Sequence, residues 1–485
     1  MSSLDKVFEN AKILLLTEVL NVFAGVATVI VLARLVDINA LGLYSLSYSL
    51  GSVLAIICLY GANQLITREV ARFPDKLEFW VGNSLAVRAG IALSLFLILG
   101  VLFTALDYGR ERILIASLLI LARVIESILM MFCAIFRGYQ EMRYEGALRS
   151  VQSGANLAIG LPILILTRSL LLFAAFQAVS CAIVTIAAYL LVIRRYRVSP
   201  TQSVSWPACV QVFREGLSFS AYSILLVLFV QTNTIMLSLF KGDQDTGLYT
   251  AGFRFVSALG MGAASVTSAL YPAVALLTLR DHAEEIRQIY LRCTKYLWIL
   301  ASFFSTALFL FAPEIVHLTY GARYASAVAG VKIMAFSLFF SYMNVSSTNL
   351  LFCLDQEKLA LKILTFSTAL VLVINLVMIP RLGFIGASWT TLIPEIAVSA
   401  LLALALKRSF GRLGTMKLAA QFAGLAALVC GPSLYWAALP LPARILLFLA
   451  LYFAGIFLMR IAAPQNALKL ARRKMSQLEV ADVRG

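Results

Sequence analysis

Residues 33–51 read ARLVDINALGLYSLSYSLG, and residues 238–256 read SLFKGDQDTGLYTAGFRFV. Gly42-Leu43-Tyr44 in the first aligns with Gly247-Leu248-Tyr249 in the second, and each tripeptide falls between two apolar blocks. A second echo sets RGYQEMR (137–143) against FCLDQEK (352–358), again between apolar blocks. Two matches at corresponding places point to two copies of one unit. Each unit holds six blocks, so both copies begin on the same side of a membrane, the arrangement of a parallel repeat.

The composition agrees. Hydrophobic residues are 61% of the 485 and charged residues 13%, about half the charge of a soluble domain. The apolar residues come in runs near the ~20 that a helix needs to cross a bilayer core. They lack the polar face that a soluble helix shows. Reading the runs gives about fourteen helices, the first near 12–34 and the last near 443–461. The expected fold class is all-α, a polytopic membrane protein with two pseudo-symmetric six-helix bundles and a C-terminal helix pair. The expected boundaries are 1–195 for the first bundle, 196–214 for a cytoplasmic linker, 215–410 for the second bundle, 411–461 for the helix pair and 462–485 for a basic tail. Asp5, Lys6 and Glu9 precede an apolar run too long for a signal-peptide core, so that run reads as the first spanning helix.

The net charge is +16, a value that in a soluble chain would suggest nucleic acid. Its distribution says otherwise. With the N-terminus in the cytoplasm, the inner segments hold about 28 Lys and Arg and the outer loops about 8, which the positive-inside rule reads as both termini cytoplasmic. No nucleic-acid partner is needed. The seven cysteines are scattered without metal or disulfide spacing, and His282 and His317 lie far apart, so no catalytic or metal cluster is expected.

An ionisable residue at mid-bilayer costs roughly 2.5–3.5 kcal/mol, so it faces a cavity or a partner. Glu18, Asn21 and Gly25 share one stripe of the first helix, and Arg149, Gln152 and Asn156 repeat that spacing on the fifth. Gln231 and Asn233 add polarity to the seventh helix, and Asn344 to the tenth. Arg88 and Arg254 stand within apolar blocks, whereas Arg123 and Glu126 are spaced to neutralise each other. Arg88, Arg149 and Arg254, with Arg123 behind them, are the candidate cationic lining. Asn21, Gln152, Asn156, Gln231, Asn233 and Asn344 are the candidate polar lining. Glu18 and Glu395 are candidates for coupling to an H+ or Na+ gradient, and either could instead pair with an arginine of a neighbouring helix. Pro272 is a candidate hinge. No other cofactor is expected.

The run ARLVDINALGLYSLSYSL, followed by a second helix closing in YGANQLITREVAR (60–72), resembles the polysaccharide biosynthesis flippase family. That family carries lipid-linked O-antigen and teichoic-acid precursors and belongs to the superfamily of multidrug and oligosaccharidyl-lipid exporters. The resemblance implies a two-bundle, V-shaped fold in the inner membrane, around a central cavity, that works by alternating access. It implies a substrate built of a polyprenyl tail, a pyrophosphate and a short sugar chain. Membrane lipids and other polysaccharide-assembly proteins are the implied partners. An always-charged, forked guanidinium suits such a head group. Two other readings stand beside this one. A multidrug antiporter of the same superfamily would favour an acidic cavity, and a membrane glycan polymerase or ligase would need a large outer loop with paired carboxylates. The outer loops here are short, so the chain is not expected to be an enzyme.

Overall fold

The computed structural model describes residues 3–105, 109–198, 204–275, 279–410, 415–431 and 439–458. The first half comprises α1 (Ser3–Leu35), α2 (Ile38–Leu59), α3 (Ala62–Arg72), α4 (Leu77–Ala105), α5 (Arg110–Gly138), α6 (Met142–Ala155), α7 (Leu161–Thr167) and α8 (Leu170–Tyr196). The second comprises α9 (Trp206–Ala275), α10 (Leu279–Leu310), α11 (Ala312–Tyr320), α12 (Ala327–Cys353), α13 (Glu357–Leu382) and α14 (Phe384–Phe410), followed by α15 (Thr415–Cys430) and α16 (Leu441–Leu458). Among the described residues twelve segments are long and apolar enough to cross a membrane. One of them, Ser220–Gly262, lies within α9, which breaks at Gly242 (φ 79°). Its arms fold back on each other, and Asn233 on the first arm donates to the Tyr249 hydroxyl on the second at 3.2 Å. Counting these arms separately gives thirteen against the expected fourteen or so, and the further apolar helix Ala419–Cys430 is shorter than a span among the described residues.

Local chemistry sets the breaks. The Asp37 side chain accepts from the Ala40 amide at 2.9 Å and caps α2. The Ser169 hydroxyl caps α8 through the Leu172 amide. The α9 helix begins at Trp206, earlier than the expected 196–214 linker would allow. Pro207 sits in its first turn, where a missing N–H costs nothing. Pro272 lies in the second arm of α9, and its side chain is outside the described residues, as is the whole 462–485 tail.

Both sequence echoes have structural counterparts. After α5, Gln140 takes φ 56°, and Glu141 N donates to Phe136 O at 2.8 Å. After α12, Asp355 takes φ 56°, and Gln356 N donates to Leu351 O at 2.9 Å. These are the same left-handed helix ending at matching positions of the two copies. The GLY echo is a crossing. A Cβ built on Gly42 would overlap the Asp243 backbone, and one built on Gly247 would overlap the Ile38 backbone. Ile38 aligns with Asp243, just as Gly42 aligns with Gly247, so the two contacts are images of each other. Without side chains here, α2 and the second arm of α9 approach to backbone contact.

The C-terminal pair is an appendage on α10. Trp298 of α10 meets Phe422 edge-on, and the Tyr452 hydroxyl of α16 donates to the Ile299 carbonyl. Arg444 of α16 pairs with Glu314 of α11.

Candidate functional site

A cavity of about 570 Å³ opens between the first bundle and α9, within the ~300–1,000 Å³ range of small-ligand sites. Five helices of the first bundle line it: α1, α2, α5, α6 and α8. Both arms of α9 complete the wall, and among the described residues no other helix of the second half reaches it. The site is therefore less symmetric than the chain.

The cavity brings together Arg123, Arg149 and Arg254 with Glu18 and Glu126. Arg123 pairs with Glu126 one turn along α5, and its guanidinium lies 4.5 Å from the Tyr48 ring centroid. Arg149 meets Glu18 of α1 at 2.7 Å and, at 3.7 Å, the fully buried Glu145. Glu145 also pairs with Arg137, so α1, α5 and α6 are tied by one chain of alternating charge. Arg254 differs. Among the described residues it forms no ion pair, and its Nε, like that of Arg123, is buried without a hydrogen-bond partner. The guanidinium occupies the space that a side chain at residue 25 would fill, so Gly25 makes room for it. Three arginines against two carboxylates leave this lining with one uncompensated positive charge, centred on Arg254.

Asn21, Gln152, Asn156 and Gln231 also line the cavity. Asn21 Oδ1 accepts from Ser153, and Gln231 Oε1 accepts from Ser49 at 2.9 Å. After Asn156 the helix widens to a π-turn over Asn156–Gly160, which breaks the regular ladder beside the cavity.

Arg88, Asn233, Asn344 and Glu395 are absent from this lining. Arg88 is 1% exposed inside the first bundle, donating to the Ser127 carbonyl at 2.7 Å and to Asn63 Oδ1 at 2.8 Å. Helix α4 turns that residue toward α3 and α5, and hydrogen bonding inside the bundle offsets its desolvation. Asn233 joins Tyr249, Thr391 and Asn375 within the second half. Asn344 donates to Glu395 Oε2 at 2.6 Å and accepts from Ser399 at 2.7 Å, making a second polar cluster there. These residues bind α12 to α14 and α9 to α13 and α14. Gln177, Tyr44 and Tyr48 line the cavity and Glu145 lies behind it against Arg149, and none of the four was expected from the sequence. Glu145 could have been found from its i,i+4 spacing to Arg149, and Tyr44 from the GLY echo.

The halves meet beyond the Val29 end of the cavity lining, and we read these contacts as its seal. Arg34, at the end of α1, donates to the Leu318 and Thr319 carbonyls at the C-terminus of α11, through Nε at 2.7 Å to Thr319. Arg112 pairs with Asp243, the residue whose backbone Gly42 meets at the crossing. A cation on helix-terminal carbonyls contributes about 0.3–1 kcal/mol. Arg34→Ala should therefore raise labelling of a Ser45→Cys probe from the sealed side by about two- to fivefold. A membrane-impermeant maleimide measures this, and unchanged labelling would remove Arg34 from the seal.

Comparison with known proteins places the chain. A lipid II flippase, MurJ, in an inward closed conformation superposes with a TM-score of 0.71 at 12% identity, covering 93% of this chain and 99% of that one. A multidrug resistance MATE family transporter of the MOP superfamily, inward-facing, gives 0.64 at 18% identity over 81% and 96%. At these identities the likeness shows a shared fold. An uncharacterized membrane protein of Methanocaldococcus jannaschii is 21% identical over 294 residues, and the match spans only 58% of that relative's length. A family model described as polysaccharide biosynthesis protein matches residues 7–278, more than half of the chain. The chain belongs to the polysaccharide biosynthesis protein family.

Proposed function

We propose that the protein is a flippase for a polyprenyl-pyrophosphate-linked oligosaccharide, moving the head group across the cytoplasmic membrane by alternating access. The observation that carries this reading is Arg254, an unpaired guanidinium in a cavity between the two halves. A pyrophosphate diester is anionic, and a forked cation in a low-dielectric space favours it strongly. The lipid tail stays in the hydrocarbon while the head group crosses through the cavity. In this reading the Arg34 and Arg112 end faces outward and the Glu18 and Arg149 end faces the cytoplasm, in keeping with the distribution of Lys and Arg.

Glu18 serves here as the counter-ion that a phosphate displaces from Arg149. Glu395, held by Asn344 in the second bundle, is the carboxylate offered for coupling to an H+ or Na+ gradient. Other polysaccharide-assembly proteins would supply and accept the substrate at the membrane.

The likeness to multidrug transporters keeps a second reading in view, export of cationic small molecules. The net positive charge of the described cavity lining favours the anionic substrate. Proteoliposomes separate the two readings. Fluorescently tagged polyprenyl-pyrophosphate oligosaccharide should become accessible to a membrane-impermeant quencher faster than in protein-free vesicles, while a cationic dye is not moved. Dye movement without lipid translocation would select the antiporter instead.

A further inference from the structure

The cavity has two chemically different parts, and the second asks for something that a phosphate does not have. Gln152 Oε1 and Asn156 Oδ1 are buried acceptors without any hydrogen-bond partner. They sit one turn apart on the same face, and both residues line the cavity. The surrounding bonds fix the orientation of Gln152. Ser180 gives its own proton to the Gln177 carbonyl at 3.2 Å, so its oxygen receives the Gln152 amide Nε2 at 3.2 Å. The carbonyl oxygen of Gln152 is thereby left without a donor. Nearby, Asn21 Oδ1 is already satisfied by Ser153.

Buried acceptors in folded proteins are nearly always matched by donors. A phosphate diester carries only acceptors, and so cannot meet these two oxygens. Sugar hydroxyls and acetamido N–H groups are donors, and they reach amide oxygens readily. The anion-seeking part of the cavity lies alongside. Arg254 abuts Gly25 on α1, and Asn21, which bonds Ser153 next to Gln152, is four residues away on the same helix, about 6 Å. That is the scale of one sugar beside its phosphate.

We propose that Gln152 and Asn156 form a sugar-hydroxyl subsite that reads the first sugar of the head group whose pyrophosphate meets Arg254. The proposal rests on the flippase reading above and adds to it a set of residues that determine sugar specificity.

The test uses full-length protein in nanodiscs and short-chain probes of equal charge. One probe is geranyl pyrophosphate capped with a methyl ester. The others carry glucose, galactose or N-acetylglucosamine in place of the methyl. Wild-type protein should bind at least one sugar-bearing probe about five- to tenfold more tightly than the methyl-capped one, the effect of one or two neutral hydrogen bonds. The Gln152→Leu/Asn156→Leu double variant should lose that gain and keep its affinity for the methyl-capped probe, which also reports that it is folded. Equal binding of all four probes by wild type, or a gain that survives in the double variant, overturns the subsite while leaving the flippase reading intact. Methyl-capped probe that binds Arg254→Ala protein as tightly as wild type overturns both.

Discussion

Gly42→Leu is expected to hold the sealed end of the cavity apart. The atoms that a side chain would meet are the backbone carbonyl and Cα of Asp243, and backbone yields far less readily than a flexible side chain. Overpacking of this kind costs roughly 1–3 kcal/mol. The closed arrangement should thus lose about five- to 150-fold in population relative to an opened one. The Arg112 and Asp243 pair and the Arg34 bonds to α11 lie at the same end, so they should part together. Labelling of a Ser45→Cys probe from that side would rise by about fivefold or more on this expectation, and the melting temperature would fall. The crossing is reciprocal, so Gly247→Ala, which runs into the Ile38 carbonyl, should behave alike. Gly90→Ala is the control, because nothing lies within 4 Å of its added Cβ. Wild-type labelling and melting in Gly42→Leu would show that the two backbones do not meet.

Arg254→Ala should slow translocation by about ten- to 150-fold without impairing membrane insertion. Hydrogen bonds to charged groups contribute about 1.5–3 kcal/mol, and Arg254 makes no ion pair among the described residues that its loss would disrupt. With Arg254 gone, Arg123 and Arg149 remain matched by Glu126 and Glu18. The described cavity lining becomes neutral. Arg254→Lys should fall between, since an ammonium keeps the charge but not the fork. Arg123→Ala makes an informative contrast. It strips Glu126 of its partner and should lower stability as well as rate, because a half-buried carboxylate is left alone. Translocation is read in proteoliposomes by quencher accessibility of a tagged lipid-linked oligosaccharide, and insertion by the yield of monodisperse protein. A fully active Arg254→Ala protein would end the assignment of that residue.

The asymmetry of the cavity gives the two halves different duties. The first bundle and α9 carry the polar lining, whereas Asn233, Asn344 and Glu395 have gone into hydrogen bonds that hold the second bundle together. Gly42 and Gly247 remain equivalent across the crossing, even though the walls on either side of it have diverged.

Much of this molecule is written locally. Runs of apolar length dictate helices that satisfy their own backbone in lipid, and both echoes recur as matched turns and a matched crossing. The stripe of Glu18, Asn21 and Gly25 and the stripe of Arg149, Gln152 and Asn156 were legible too, because helical periodicity puts such residues on one face. Periodicity does not say where that face points. Arg88 and Arg254 both read as cations in apolar helices, yet one is enclosed by Asn63, Tyr60 and Ser127 and the other stands in a cavity. Asn233 and Gln231 are two residues apart and face opposite ways for the same reason. The alternation of apolar and polar residues along the chain determined how many helices form and that they come in two copies. Only packing between helices decided which polar groups meet each other and which are left facing the gap, because that depends on rotation and contact across long separations in sequence.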